Sequence, residues 1–357
     1  MRGARHTIGR LTRAAGRVFV LIVTISGCVV GAGEPKPGSP PHHRVPGFAN
    51  PNSTFARPSF WTVQQFRLAR LWRAVAGGRP MPVFPRVGND GAALRGAHTG
   101  ATLTWIGHAT LLIQLDGVNV LTDPIWSERA SPIAFAGPRR LTAPGVRFDD
   151  LPPIHAVVIS HNHYDHLDRA TVKRLARAHR PVFLVPLGNK ASFTALGIDN
   201  VHELDWWEER RVGEVTITCV PAQHWSARTP WDTDTRLWSG WALAGRGGRA
   251  FFAGDTGYYD GLREIRTRLG PIDVAAVSIA AYEPPRMMRH THTTPEEALR
   301  IFDAVDARIF VAMHWGTFDL GDEPLDEPPQ RLEAEARRRG LGPDRVWILR
   351  HGETRRW

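Results

Sequence analysis

The stretch Ser160-His161-Asn162-His163-Tyr164-Asp165-His166-Leu167-Asp168 constrains this chain more than any other. It sets the pattern H-x-H-x-D-H directly after Ile154-His155-Ala156-Val157-Val158-Ile159, an apolar run that predicts a buried strand. Ala170-Thr171-Val172-Lys173-Arg174-Leu175-Ala176 follows and predicts a helix. A loop between the carboxyl end of a strand and a helix is where open α/β sheets carry their sites. On this loop His161 and His163 can turn toward one ion, and Asp165 and His166 toward a neighbour. Imidazole and carboxylate without cysteine suit zinc, ahead of manganese or iron.

Further possible ligands also end strands. Val215-Thr216-Ile217-Thr218-Cys219-Val220 leads to Pro221-Ala222-Gln223-His224. Arg249-Ala250-Phe251-Phe252-Ala253 runs into Gly254-Asp255-Thr256-Gly257, and Arg308-Ile309-Phe310-Val311-Ala312-Met313 into His314. Three strand ends that each offer a ligand fit one cluster. Upstream, 102–106 and 110–115 are strand-like, and Asp116-Gly117 is a two-residue hairpin signal. The returning strand 118–122 ends at Asp123, either a partner for a ligand histidine or a turn former. His108, in Gly107-His108-Ala109-Thr110, reads as structural. Two further runs, 181–185 and 273–279, predict strands. Thr294-Pro295-Glu296-Glu297 predicts a capped helix start, with the helix reaching about Val305. No internal repeat or glycine-rich nucleotide motif competes with this pattern.

With 357 residues, 42% hydrophobic and 22% charged, the chain is globular and long enough for one large domain or two smaller ones. Trp206, Trp207, Trp225, Trp231 and Trp315 fall near the candidate site, as a wall for an amphipathic substrate or as core filling. The formal net charge is +10, and Arg2, Arg5, Arg10, Arg13 and Arg17 carry five of it, which leaves +5 on the rest. A mildly basic remainder suits an anionic lipid surface or a phosphate substrate. No basic run with interleaved aromatics points to nucleic acid. Two cysteines form no disulfide framework, and Cys219 reads as a small buried hydrophobe.

Residues 1–28 predict a bacterial export signal: arginines, the short apolar run 18–23, then Ile25-Ser26-Gly27-Cys28. Ile-Ser-Gly-Cys resembles a lipobox, which would make Cys28 a lipid-bearing amino terminus on the cell envelope, facing the periplasm. Residues 29–60, rich in Pro, Gly and His, predict a semi-extended tether in which His42-His43 are solvated, with metal binding by the pair as the lesser alternative. Residues 61–75 predict an amphipathic helix, with Trp61, Phe66, Leu68, Leu71, Trp72 and Val75 apolar and Arg67, Arg70 and Arg73 basic. It either faces a membrane or substrate, or packs on the main domain of residues 61–357.

The order H-x-H-x-D-H, His, Gly-Asp-Thr-Gly, His resembles the metallo-β-lactamase superfamily, whose α/β fold is an αββα sandwich with a two-metal site on one edge. Within it, several blocks are similar to the family of N-acylphosphatidylethanolamine-hydrolysing phospholipases D. They are Trp105-Ile106-Gly107-His108-Ala109-Thr110, Leu121-Thr122-Asp123-Pro124-Ile125, Gly137-Pro138-Arg139-Arg140 and the stretch 160–168. Leu204-Asp205-Trp206-Trp207-Glu208-Glu209, Gly254-Asp255-Thr256-Gly257-Tyr258, Ala281-Tyr282-Glu283-Pro284 and His314-Trp315-Gly316-Thr317-Phe318 continue the likeness, which spans roughly residues 45–357. The chain departs from the family at its amino terminus and in Pro285-Arg286-Met287-Met288-Arg289, so acyl specificity and native lipid do not carry over.

By position, the resemblance implies that His161, His163 and His224 bind one zinc ion, that Asp165, His166 and His314 bind a second, and that Asp255 bridges them. It implies hydrolysis of a membrane phospholipid to phosphatidic acid and an N-acylethanolamine, by in-line attack of an activated water on phosphorus. It leaves room for a homodimer. Asp165 or a water would supply the leaving-group proton. Tyr164, His292 and His351 are candidate substrate contacts. Two other readings share the residues: a lactonase or nucleotide phosphodiesterase, and an envelope lipoprotein with a structural metal site. The last fits poorly, because structural zinc sites are closed and four-coordinate.

Overall fold

The computed structural model of the protein describes residues 37–52, 57–75, 81–96 and 100–357. A short ladder of β1 (His43–Arg44) and β2 (Gly47–Phe48) precedes helix α1 (Phe60–Val75) and the single turn α2 (Ala92–Arg95). Next come β3 (Thr102–Gly107), β4 (Thr110–Leu115), β5 (Val118–Thr122), β6 (Ala156–Val158), α3 (Arg169–Ala178), β7 (Val182–Pro186), α4 (Lys190–Thr194) and β8 (Val201–Leu204). The second half holds β9 (Glu209–Val212), β10 (Val215–Val220), β11 (Gly240–Gly245), β12 (Gly248–Phe252), α5 (Arg263–Leu269), β13 (Ile272–Ser278), α6 (Pro285–Met288), α7 (Pro295–Ala304), β14 (Ala307–Met313), α8 (Glu327–Arg338), β15 (Val346–Trp347) and β16 (Thr354–Arg356). They form two seven-stranded sheets, ordered β16-β3-β4-β5-β6-β7-β8 and β15-β14-β13-β12-β11-β10-β9.

Alternation along the strands shows why these sheets stack in layers. In β4 and β5, Leu111, Ile113, Leu115 and Val120 join the large core cluster, while Leu112 and Leu121 point the other way, into a second cluster. β6 and β7 divide likewise: Ala156, Val158 and Leu184 face one side, Val157, Phe183 and Val185 the other. That second cluster is closed by Val172 and Leu175 of α3 and Phe193 of α4. A strand buried on both faces reads as an unbroken apolar run, which is how 154–159 reads. Each such side chain contributes on the order of 2 kcal/mol when removed from water. α7 and α8 cover the other sheet, and the expected cap of α7 is present: the Thr294 hydroxyl accepts from the Glu297 N–H while the Glu297 carboxylate accepts from the Thr294 N–H.

Strand direction positions the site. β3 and β5 are each antiparallel to β4, and β6 is parallel to β5, so β3, β5 and β6 all end at the same edge. β10 and β12 are each antiparallel to β11, and β13 and β14 are parallel to β12, so these four share an edge too. His108, Asp123, His161–His166, His224, Asp255 and His314 each follow one of these strands. The hairpin at Asp116-Gly117 sets the parity of the first sheet: both residues have left-handed φ (47° and 77°), as a turn of that length requires.

Two expectations need correction. Residues 37–52 are not an extended tether. They form a strap folded onto the domain, because His42, His43 and Asn50 find polar partners there and Phe48 packs on the core. The tryptophans form no wall, since Trp206 and Trp315 are buried in the core and Trp231 is 75% exposed; of the five, Trp225 reaches the cavity at the site. Helix α1 packs on the domain, as one of the two alternatives had it, and also lines the cavity at the site. Val63 and Phe66 face the cavity and Arg70 donates to the carbonyls of Asp319 and Gly321, while Trp61, Leu68 and Trp72 stand exposed. Residues 1–28, with the expected signal and Cys28, lie outside the described residues. No helix among the described residues is long and apolar enough to cross a membrane.

Candidate metal centre

The loop after β6 carries four of the candidate ligands, and its backbone is held from both sides. Arg228 donates to the carbonyls of Asn162 and Leu167 (2.8 and 2.9 Å), and the Ser239 N–H donates to the carbonyl of Ser160 (2.8 Å). Asp168 ends the loop by capping α3, accepting from Ala170 N–H and the Thr171 hydroxyl, and also from Ser127 N–H. Across the cleft, Gly254 lets β12 approach the loop. Its φ is +60°, and a Cβ there would lie 2.6 Å from that of Ser160. His108, Asp123 and His314 also hold left-handed φ (56°, 34° and 71°), a strain that persists where the surrounding structure dictates it.

Two groups of ligand atoms result. In the first, His163 Nδ1 lies 2.8 Å from His161 Nε2 and 3.3 Å from His224 Nε2. In the second, Asp165 Oδ2 lies 3.2 Å from His166 Nε2 and 3.5 Å from His314 Nε2. Asp255 stands between the groups, its Oδ2 3.1 Å from His166 Nε2, 3.2 Å from His314 Nε2 and 4.0 Å from His224 Nε2. The distal nitrogens are anchored. His161 Nδ1 meets the Ser160 hydroxyl at 2.9 Å, His224 Nδ1 the Thr291 carbonyl at 2.9 Å, and His166 Nδ1 Asp123 Oδ2 at 2.6 Å. Asp123 is therefore the buried partner of a candidate ligand histidine. It also accepts from both the N–H and the hydroxyl of Ser160.

The electrostatics match the geometry. Burial holds His161, His163 and His224 in the neutral form, His163 down to about 4, which leaves lone pairs free for a cation. Burial also presses down on His166 and His314, but Asp255 and Asp165 outweigh it, with Asp123 adding to the effect on His166. His166 is held well above the imidazole range and His314 at about 9. The residues fit divalent ions. Three neutral imidazoles converge with too few protons to satisfy them, and His163 Nε2, His166 Nε2, His314 Nε2 and Asp255 Oδ1 are buried without a hydrogen-bond partner. A divalent cation satisfies such a group.

The other sequence candidates separate. His292 lines the cavity with its Nδ1 3.8 Å from Asp255 Oδ2, so it stands at the site. Tyr164 does not contact the cavity. Its hydroxyl donates to the Arg228 carbonyl (2.7 Å) and the Arg228 guanidinium lies 4.0 Å from its ring, so it packs the loop instead. His351 is fully buried away from the cavity, 4.2 Å from the Trp105 ring centroid and bonded to the Thr317 hydroxyl (2.9 Å). Burial holds it neutral, at about 3.

Three site residues escaped the sequence reading. His108 is at the centre, its Nε2 2.9 Å from Asp165 Oδ2 and its ring 4.0 Å from that of His314. Its position at the end of β3 was a signal that could have found it. Asn50, on the strap, donates to the His224 carbonyl and accepts from the His224 N–H (both 2.8 Å) and from Trp238 Nε1 (3.1 Å). Nothing local in the sequence marks Asn50 or Arg228.

Two stacked mixed sheets with histidines and carboxylates on one edge define a class, the metal-dependent hydrolases of the metallo-β-lactamase superfamily, and this chain belongs to it. The beta-lactamase superfamily domain matches residues 118–315, a span that holds all seven ligand candidates but not His108 or the strap. An uncharacterised protein of Mycobacterium tuberculosis is 40% identical over 306 residues, covering 83% of this chain and 80% of that one. The N-acyl-phosphatidylethanolamine-hydrolyzing phospholipase D 1 of Caenorhabditis elegans is 41% identical over 254 residues, covering 67% of this chain and 71% of that one. A metallo hydrolase from the archaeon Ignicoccus hospitalis shares the fold, with a TM-score of 0.55 at 23% identity over 72% of this chain and 99% of its own.

Proposed function

We propose that the chain is a zinc-dependent phosphodiesterase that cleaves N-acylphosphatidylethanolamine-like phospholipids to phosphatidic acid and N-acylethanolamine at a membrane surface. The observation that carries this reading is the cavity over the metal centre, about 450 Å³ in volume. His163, Asp165, Asp255 and His292 form its polar end, and Val63, Phe66, Met287, Met288 and Leu320 its apolar walls. A polar reacting end inside an apolar barrel suits an amphiphile with a diester, and the likeness to the nematode phospholipase D names one such amphiphile. The exposed Trp61, Leu68 and Trp72 on the same helix as Val63 and Phe66 suit the interfacial layer of a bilayer.

His161, His163 and His224 would hold one ion and Asp165, His166 and His314 the other, with Asp255 reaching both. Zinc held by these residues would supply Lewis-acid polarisation of a phosphodiester and a water acidic enough to act as the nucleophile near neutral pH. Asp123, Ser160 and the Thr291 carbonyl fix the ligand rings so that their inner nitrogens stay aimed at the centre. Burial raises the Asp165 carboxyl, but His166 and His108 outweigh it and hold it well below the carboxylate range. Asp165 thus serves as a ligand and water supplies the leaving-group proton. His292, neutral through burial, presents its unpartnered Nδ1 to the cavity for a phosphoryl oxygen.

The test is the zinc-loaded full chain against N-acylphosphatidylethanolamine vesicles, lactones and cyclic nucleotides, with products identified by mass. Phosphatidic acid with N-acylethanolamine is the expected pair. Diacylglycerol release would overturn the bond assignment, and turnover of only lactones or cyclic nucleotides would overturn the substrate.

A further inference from the structure

His42 and His43 are neighbours, and neighbouring side chains on an extended chain point to opposite sides. Here both converge on one carboxylate. His42 Nε2 lies 2.6 Å from Asp205 Oδ1 and His43 Nε2 lies 2.8 Å from Asp205 Oδ2. The backbone is shaped for this: His43 N–H donates to Pro40 O, Ala49 N–H donates to His42 O, and the β1–β2 ladder closes between them. Packing fixes both rings. His42 stacks on Trp206 at 4.1 Å and His43 meets Phe48 edge-on at 5.4 Å. Asp205 is fixed as well, sitting between β8 and β9 and accepting from the Trp206 N–H.

We propose that His42, His43 and Asp205 form a separate zinc site that clips the strap to the β8–β9 connection. The two imidazole nitrogens and a carboxylate oxygen lie within 4.8 Å of one another, on side chains already oriented by packing. Two imidazoles and a carboxylate are a zinc ligand set that leaves one position for water. Oxidation plays no part, and binding displaces only the protons now shared between the rings and Asp205. The strap carries Asn50 further on, so the clip fastens the segment that also holds the main chain of His224.

The experiment compares zinc bound per chain, by equilibrium dialysis at equal free zinc, for the full-length protein and for its His42→Ala/His43→Ala variant. The variant should bind one equivalent fewer, whatever the total held by the central site, so this outcome is independent of the proposed phospholipid activity. Equal stoichiometry in the two proteins would overturn the clip and leave a plain histidine–carboxylate ion pair. Asp205→Cys provides a test that does not depend on the double variant folding. A thiolate is a good metal ligand and a poor hydrogen-bond acceptor, so this variant should retain the extra equivalent and, with cobalt, show a thiolate-to-metal charge-transfer band that wild type lacks. Absence of that band would equally sink the proposal.

Discussion

The central cluster and the strap cluster use the same side chains in different proportions. In the centre, His161, His163 and His224 point their nitrogens at one another, with Asp255 Oδ2 no nearer than 4.0 Å to His224 Nε2. On the strap, His42 and His43 each have an oxygen of Asp205 to themselves. The strap cluster can be satisfied by protons alone, whereas the central one leaves polar atoms buried and unpaired, at a cost of about 1–3 kcal/mol each. The difference teaches that the ratio of imidazole to carboxylate, more than their presence, decides whether a cation is needed. Zinc at the centre should therefore be held tightly, and zinc on the strap should exchange readily.

Substitutions can break that comparison at either end. The largest effect is expected from Asp255→Ala, which removes the carboxylate shared by both central groups. Metal analysis should show at least one central ion lost, and phosphodiester turnover should fall about a thousandfold, the scale of losing a preorganised charge at a reaction centre. Retention of every ion would refute its bridging position. Asp123→Asn is milder, since it alters the partner of His166 Nδ1 and of Ser160 but removes no candidate ligand; central zinc affinity should fall about 10–100-fold, while the strap equivalent stays unchanged in the same titration. Asn50→Ala probes how far the two regions communicate. It deletes the three hydrogen bonds to His224 and Trp238, so thermal unfolding should show a loss of about 2 kcal/mol. An unchanged Tm would mean that the strap is not coupled to the site.

A smaller, severalfold effect is expected from Trp61→Ala with Leu68→Ala. Activity on phospholipid vesicles should drop while activity on a small soluble diester holds. Equal loss on both substrates would mean that α1 only packs. A separate effect, confined to acid pH, is a pH dependence outside both clusters. Burial depresses the pKa of His351 to about 3, so below the unfolded value of about 6.5 the unfolded chain binds the extra proton. This contribution is complete above about pH 6.5 and is lost as pH falls toward 3. Replacing His351 with Gln should flatten the fall of Tm across that acid range, and an unchanged profile would show that His351 does not drive it.

Signals that act over a few residues were legible in advance. The H-x-H-x-D-H loop behind an apolar strand, the Asp116-Gly117 hairpin, the capping box at Thr294 and the residues ending strands at His224, Asp255 and His314 all depend on local periodicity, turn chemistry or capping. These reach only a turn or two along the chain, which is why they show in a bare sequence. The direction in which each strand runs is not local. It follows from how many antiparallel steps separate it from its neighbours, and that parity brings His108 and His314, more than two hundred residues apart, to a ring separation of 4.0 Å. Side-chain aim is no more local. Tyr164 sits between ligands in sequence yet turns to Arg228, and His351 fills the core beside Trp105. His42, His43 and Asn50, in a stretch whose composition reads as a tether, become part of the domain because their partners Asp205 and His224 lie more than 160 residues away. The sequence alone determined which chemistry the chain carries and on which loops. Only the tertiary structure decided which of those groups meet, because pairing and packing across the two sheets set distances that no local pattern encodes.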